Sequence, residues 1–81
     1  METLKNGAHI LLRGENSHQD GFVLAITDRD FSTWAIDQEG NTFWGHYYSL
    51  TLAGLIEVTR DYRQRIGYHE DGTPIEEVKQ P

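Results

Sequence analysis

An 81-residue chain holds one domain at most, and it buries only about 60% of its unfolded surface, so its stability is marginal without reinforcement. With no cysteine, neither disulfides nor a thiolate metal cluster can supply that reinforcement, and a small secreted disulfide scaffold is excluded. Thirteen acidic against seven basic residues leave a net charge of −6, which disfavours direct nucleic-acid binding and anionic membrane surfaces and favours a basic partner.

The first residues, Met1-Glu-Thr-Leu-Lys-Asn-Gly7, lack the basic and apolar regions of a secretory leader, and no stretch is apolar enough to span a bilayer. The expectation is a cytoplasmic protein without a membrane partner. Homodimerisation is the simplest extra source of stability. The charge is uneven. Residues 60–68 carry Arg60, Arg63 and Arg65 against Asp61, whereas residues 69–81 carry Glu70, Asp71, Glu76 and Glu77 against Lys79.

Apolar residues recur with a period of two more often than with a helical period. Residues 8–13 read as a first strand, followed by a polar loop over 14–21. Residues 22–27 form a second strand, with Phe22, Leu24 and Ile26 on one face and Val23 and Ala25 on the other. Apolar residues on both faces imply cover on both sides. After a loop over 28–32, residues 33–37 make a third strand presenting Trp34 and Ile36 together. Asp37-Gln-Glu-Gly40-Asn41 is the clearest turn signal: Asp37 opens the turn and Gly40 takes a left-handed conformation. Residues 42–48 return antiparallel, alternating Phe43, Gly45 and Tyr47 with Trp44, His46 and Tyr48. Residues 49–54 read as a helical turn or 3₁₀ connector, and 55–59 as a fifth strand. Beyond these, 61–66 is one helical turn capped by Asp61, or 65–69 and 73–78 form a hairpin about Asp71-Gly72, the preferred reading.

Residues 32–37, the Gly40-Asn41 turn and residues 45–58 resemble the strand, 3₁₀ turn and closing strand of an SH3-like small β-barrel. The resemblance covers about residues 7–59. It implies an all-β, five-stranded barrel with a C-terminal extension over 60–81, all within one domain. The peptide-binding members carry Ala-Leu-Tyr in the first loop and proline in the 3₁₀ turn. Here those places hold Gly-Glu-Asn-Ser-His and Ser-Leu-Thr-Leu-Ala, so proline-motif recognition does not carry over.

Six aromatics, Phe31, Trp34, Phe43, Trp44, Tyr47 and Tyr48, lie on or beside the central hairpin. Alternation predicts that Trp44 and Tyr48 share one face, opposite Phe43 and Tyr47, and that one set turns outward as a binding surface. Carboxylates populate the loops: Glu15 and Asp20, Asp28 and Asp30, Asp37 and Glu39. Spaced over a small surface, they can imitate nucleic-acid phosphates. Asp28, Asp30, Ser32 and Glu39 match the spacing of a calcium loop, but Thr33 stands where glycine is needed and the flanks are strand-like. The four histidines lack close ligand spacing. Neither a phosphate-binding glycine loop nor a nucleophile motif is present.

The expectation is therefore a non-enzymatic binding protein with no cofactor, metal or catalytic residue. The candidate contact residues are Glu15, Asp20, Asp28, Asp30, Asp37, Glu39, Trp44 and Tyr48. Its partner would be a protein with a basic surface. In general character the chain resembles small acidic phage anti-defence proteins, anti-CRISPR proteins among them. That resemblance implies an inhibitor of a nucleic-acid-handling protein that mimics nucleic acid. The alternative is an adaptor or structural subunit that binds through exposed aromatics.

Overall fold

The computed structural model describes residues 2–67. They form four strands, β1 (His9–Glu15), β2 (Gly21–Ile26), β3 (Asp30–Ile36) and β4 (Thr42–Ser49), followed by helix α1 (Leu52–Arg65). The strands pair antiparallel in chain order, so the sheet is a four-stranded meander. Each connection is shaped by its own polar side chain. Asn16 Oδ1 accepts the amides of His18 and Asp20, and Thr27 Oγ1 accepts those of Arg29 and Asp30. Asp37 Oδ1 accepts those of Glu39 and Asn41, with Gly40 at φ +85°, as the turn signal predicts.

Both faces of the sheet are covered. Phe22, Leu24 and Ala35 pack beneath Val58 and Tyr62 of α1, with Phe31, Tyr48 and Ile66 around them. On the opposite face Val23, Ala25 and Ile36 pack against Leu4 and Ala8, with Ile10 and Trp34 at the margin. The segment before β1 is held there by Leu4 N–H to Ala8 O (2.8 Å) and Ile10 N–H to Glu2 O (2.8 Å). The two-sided cover expected for β2 is thus present.

The architecture corrects the five-stranded barrel. The sheet has four strands, it is not closed, and the expected closing strand over 55–59 lies inside α1. Three features make this segment helical. Thr51 is its N-cap, with Oγ1 accepting the Gly54 amide at 3.0 Å. Gly54, Val58 and Tyr62 recur every fourth residue and are the buried positions. Arg63 and Arg65 in the last turn complement the helix dipole. Gly54 is needed for close approach: a Cβ there would lie in the backbone carbonyl of Ser49. Residues 49–54 therefore end β4 and begin the helix, and the turn expected over 61–66 is the end of α1. The preferred hairpin of the C-terminal extension falls from residue 68 onward outside the described residues.

Both outer strands carry a bulge. In β1 the register slips between Ile10 and Leu12, making Leu11 the extra residue. In β4 the pairs Thr33–His46 and Ala35–Phe43 leave Trp44 and Gly45 opposite Trp34 alone. Trp44 adopts φ +53°. Bulges bend and twist an edge and blunt its pairing with other chains.

Candidate functional site

The order of the meander puts the β1–β2 and β3–β4 turns at the same end of the sheet. Between them lies a groove of about 830 Å³. Phe22, Ala35 and Phe43 line its apolar part, Trp44 forms a wall, and Glu15, Asp20 and Asp37 stand along it. Phe43 and Trp44 are tilted 56° to one another with centroids 6.3 Å apart, so their rings splay. The basic residue in the lining, Arg13, is engaged with Glu2 at 2.9 Å.

These carboxylates differ in their freedom. Asp37 is built into its turn. The Asn41 amide leads the hydrogen bonds that hold its carboxyl below the ordinary value, against a smaller opposing effect of desolvation. Asp20 Oδ2 accepts from Asn16 Nδ2 at 3.1 Å. Glu15 ends β1 and is exposed.

The β4 bulge reverses the expected alternation. Phe43, opposite Ala35, comes onto the helix side together with His46 and Tyr48. Tyr48, expected to face outward beside Trp44, is half-buried there, and its hydroxyl donates to Asp61 Oδ2 at 2.8 Å. Trp44 itself is 78% exposed.

Tyr48 belongs to a polar cluster between sheet and helix. Asp61 Oδ2 also accepts from Thr33 Oγ1 at 2.6 Å and lies 2.8 Å from His46 Nδ1. Asp61 Oδ1 accepts from Arg65 Nε at 3.2 Å. Arg65 Nη2 reaches back to the Trp44 carbonyl at 2.6 Å and approaches His46 Nδ1 at 2.7 Å. Its guanidinium carbon lies 5.9 Å from the centre of the Phe22 ring. Burial pushes the Asp61 carboxyl up, but the bonds from Thr33, His46 and Tyr48 and the Arg65 charge outweigh it and hold the carboxyl below its usual value. Burial, and then the Asp61 bond, push the Tyr48 phenol up to about 12. The groove does not reach His46 or Asp61.

Four of the eight sequence candidates therefore share one groove: Glu15, Asp20, Asp37 and Trp44. Glu39 sits at the tip of the β3–β4 turn, within 3.5 Å of Asn41 Nδ2. Asp28 and Asp30 lie at the other end of the sheet, beside a cleft of about 300 Å³ that Trp34 and Tyr47 also line. Arg29 stands in that cleft too. The sequence candidates omit Phe43 and the Asp61–Arg65 pair, although the i,i+4 spacing of that pair is the signal that could have exposed it, once a helix is recognised.

Among the described residues no group of three or more His, Asp or Glu could hold a metal ion, and no helix is long and apolar enough to cross a membrane. No protein-family model matches the chain, and no curated protein and no solved structure is significantly similar to it.

Proposed function

We propose that this is a non-enzymatic binding protein whose groove receives a basic segment of a protein partner. In this reading it inhibits or regulates a basic, nucleic-acid-handling protein, in the manner of phage anti-defence and anti-CRISPR proteins. Trp44 carries the reading. A bulky residue at φ +53° is strained by about 1–2 kcal/mol, and an indole 78% exposed recovers little of that by burial. Strain without burial is typical of a residue kept for contact. The indole and Phe43 offer ring faces to a cation, worth about 0.5–2 kcal/mol, and Glu15 and Asp20 supply the opposite charge. The net charge of −6 steers a basic partner toward the protein. The carboxylates then stand where the partner would otherwise hold phosphates.

The test starts from nuclease-treated extract passed over the immobilised protein, followed by reconstitution with the purified partner. The expected partner is a nucleic-acid-binding protein that duplex DNA displaces and that dissociates as salt rises, because exposed charges are screened. Glu15→Lys with Asp20→Lys should abolish the complex. Recovery of no nucleic-acid-binding protein would sink the proposal. The second reading, an adaptor or structural subunit that binds a partner or itself through aromatics, is favoured by the exposure of Tyr47 (62%) beside Trp44 on β4, an outer strand. It requires the charge-reversed protein to keep its complex and Trp44→Ala to lose it.

A further inference from the structure

We infer that Arg65 is the positioning residue of the groove: from the last turn of α1 it holds the β4 bulge in the left-handed conformation that places the Trp44 ring. No turn motif of its own accounts for that conformation, since the residue is neither glycine nor asparagine. What fixes it is a bond across 21 residues, from Arg65 Nη2 to the Trp44 carbonyl at 2.6 Å. Arg65 is itself immobilised. Its side chain is 11% exposed, Nε is bonded to Asp61, and the guanidinium lies over Phe22. A planar fork can hold a carboxylate through Nε and a carbonyl through Nη2 at once, whereas a lysine ammonium is a single point on a flexible stem.

His46 stands at the same junction. Its Nδ1 lies 2.7 Å from Arg65 Nη2 and 2.8 Å from Asp61 Oδ2. One ring nitrogen has either an electron pair or a proton, so it cannot accept from Arg65 and donate to Asp61 together. The groups around His46 are Asp61 and Arg65 from α1, the Thr33 hydroxyl from β3, and Tyr48 on its own strand, which meets it at the same Asp61 oxygen.

The consequence for binding rests on the proposed groove, but the positioning can be measured without any partner. A residue at positive φ gives a strong intraresidue amide–Hα nuclear Overhauser effect. Trp44 should show one, and Gln19, at φ +66° in the β1–β2 turn, serves as internal control. In Arg65→Lys, which keeps a cation beside Asp61, and in Arg65→Gln, the Trp44 signal should weaken while that of Gln19 stays strong. Both variants should lose about tenfold in affinity for a hexa-arginine peptide, the probe used, although Arg65→Lys melts closer to the parent. An unchanged Trp44 signal in folded Arg65→Gln would overturn the inference. A weakened signal with undiminished peptide affinity would support the positioning and overturn the groove as the binding site.

Discussion

The two faces of the sheet are closed by different physics. Opposite the helix, Leu4, Ala8, Val23, Ala25 and Ile36 form an apolar contact sealed by the segment just before β1. Beneath α1, an apolar cluster adjoins the carboxylate of Asp61, which takes bonds from β3 and β4 and from its own helix. Apolar burial scales with area and tolerates small displacements. A charged, directional cluster fixes one register and fails sharply when a partner is removed. The helix face, which carries the Trp44 bulge through Arg65, is thus the geometrically exacting one.

The largest effect should come from Gly54→Ala. Helix propensity alone favours alanine by about 1 kcal/mol. Here the new methyl overlaps the Ser49 backbone carbonyl, so the helix start or the end of β4 must shift and a net loss of about 3 kcal/mol is expected. Hydrogen exchange should show α1 amides losing protection before those of β1 and β2. Uniform loss across the sheet would mean that the two faces are not separable.

Asp61→Ala should cost about 2–3 kcal/mol in denaturant unfolding, since it strands Arg65 and two hydroxyls. The same cluster should make the helix face sensitive to pH from both sides. The Asp61 carboxyl is lowered in the folded chain from 3.8, so its contribution is complete above that value and is lost as pH falls through the folded one. The Tyr48 phenol is raised from 10 to about 12, so its contribution is complete below 10 and is lost as pH rises through about 12. Asp61→Asn should flatten the acid limb. An acid limb of parental steepness in Asp61→Asn would move the titration to other carboxylates.

Leu4→Ala tests the apolar face and should cost about 2 kcal/mol, the same at pH 4 and pH 7. The smallest change is Trp44→Gly. By relieving a left-handed aromatic it should gain about 1 kcal/mol in stability while abolishing partner binding. Trp44→Ala removes the ring and keeps the strain, so it should lose binding without that gain.

Much of this was legible in the sequence. The double apolar pattern of residues 22–26 showed a strand covered on both faces, and Asp37 with Gly40 marked the turn that the structure contains. The helix was not legible, because Leu55-Ile-Glu-Val-Thr59 is rich in β-branched residues. Its inward stripe, Gly54, Val58 and Tyr62, contains a single aliphatic side chain. The side chains of α1 that bond to β4, Asp61 and Arg65, are charged and lie outside any apolar periodicity. The bulge was hidden because its left-handed residue is a tryptophan, with the glycine one place later. That single insertion moved Tyr48 from an expected contact to the interior cluster and brought Phe43 to the groove. The loop acids were visible as acids, but only the shared end of two turns made three of them neighbours of Trp44.

The chain-order pairing of the strands also has a consequence for kinetics. Each strand waits only for the next, across connections of five residues or fewer, so little loop-closure entropy stands in the way of the sheet. During synthesis all four strands leave the ribosome before α1 does. A nascent sheet would therefore show Phe22, Leu24 and Ala35 uncovered until residues 52–65 have also emerged, and that interval is the one of greatest exposure to chaperones.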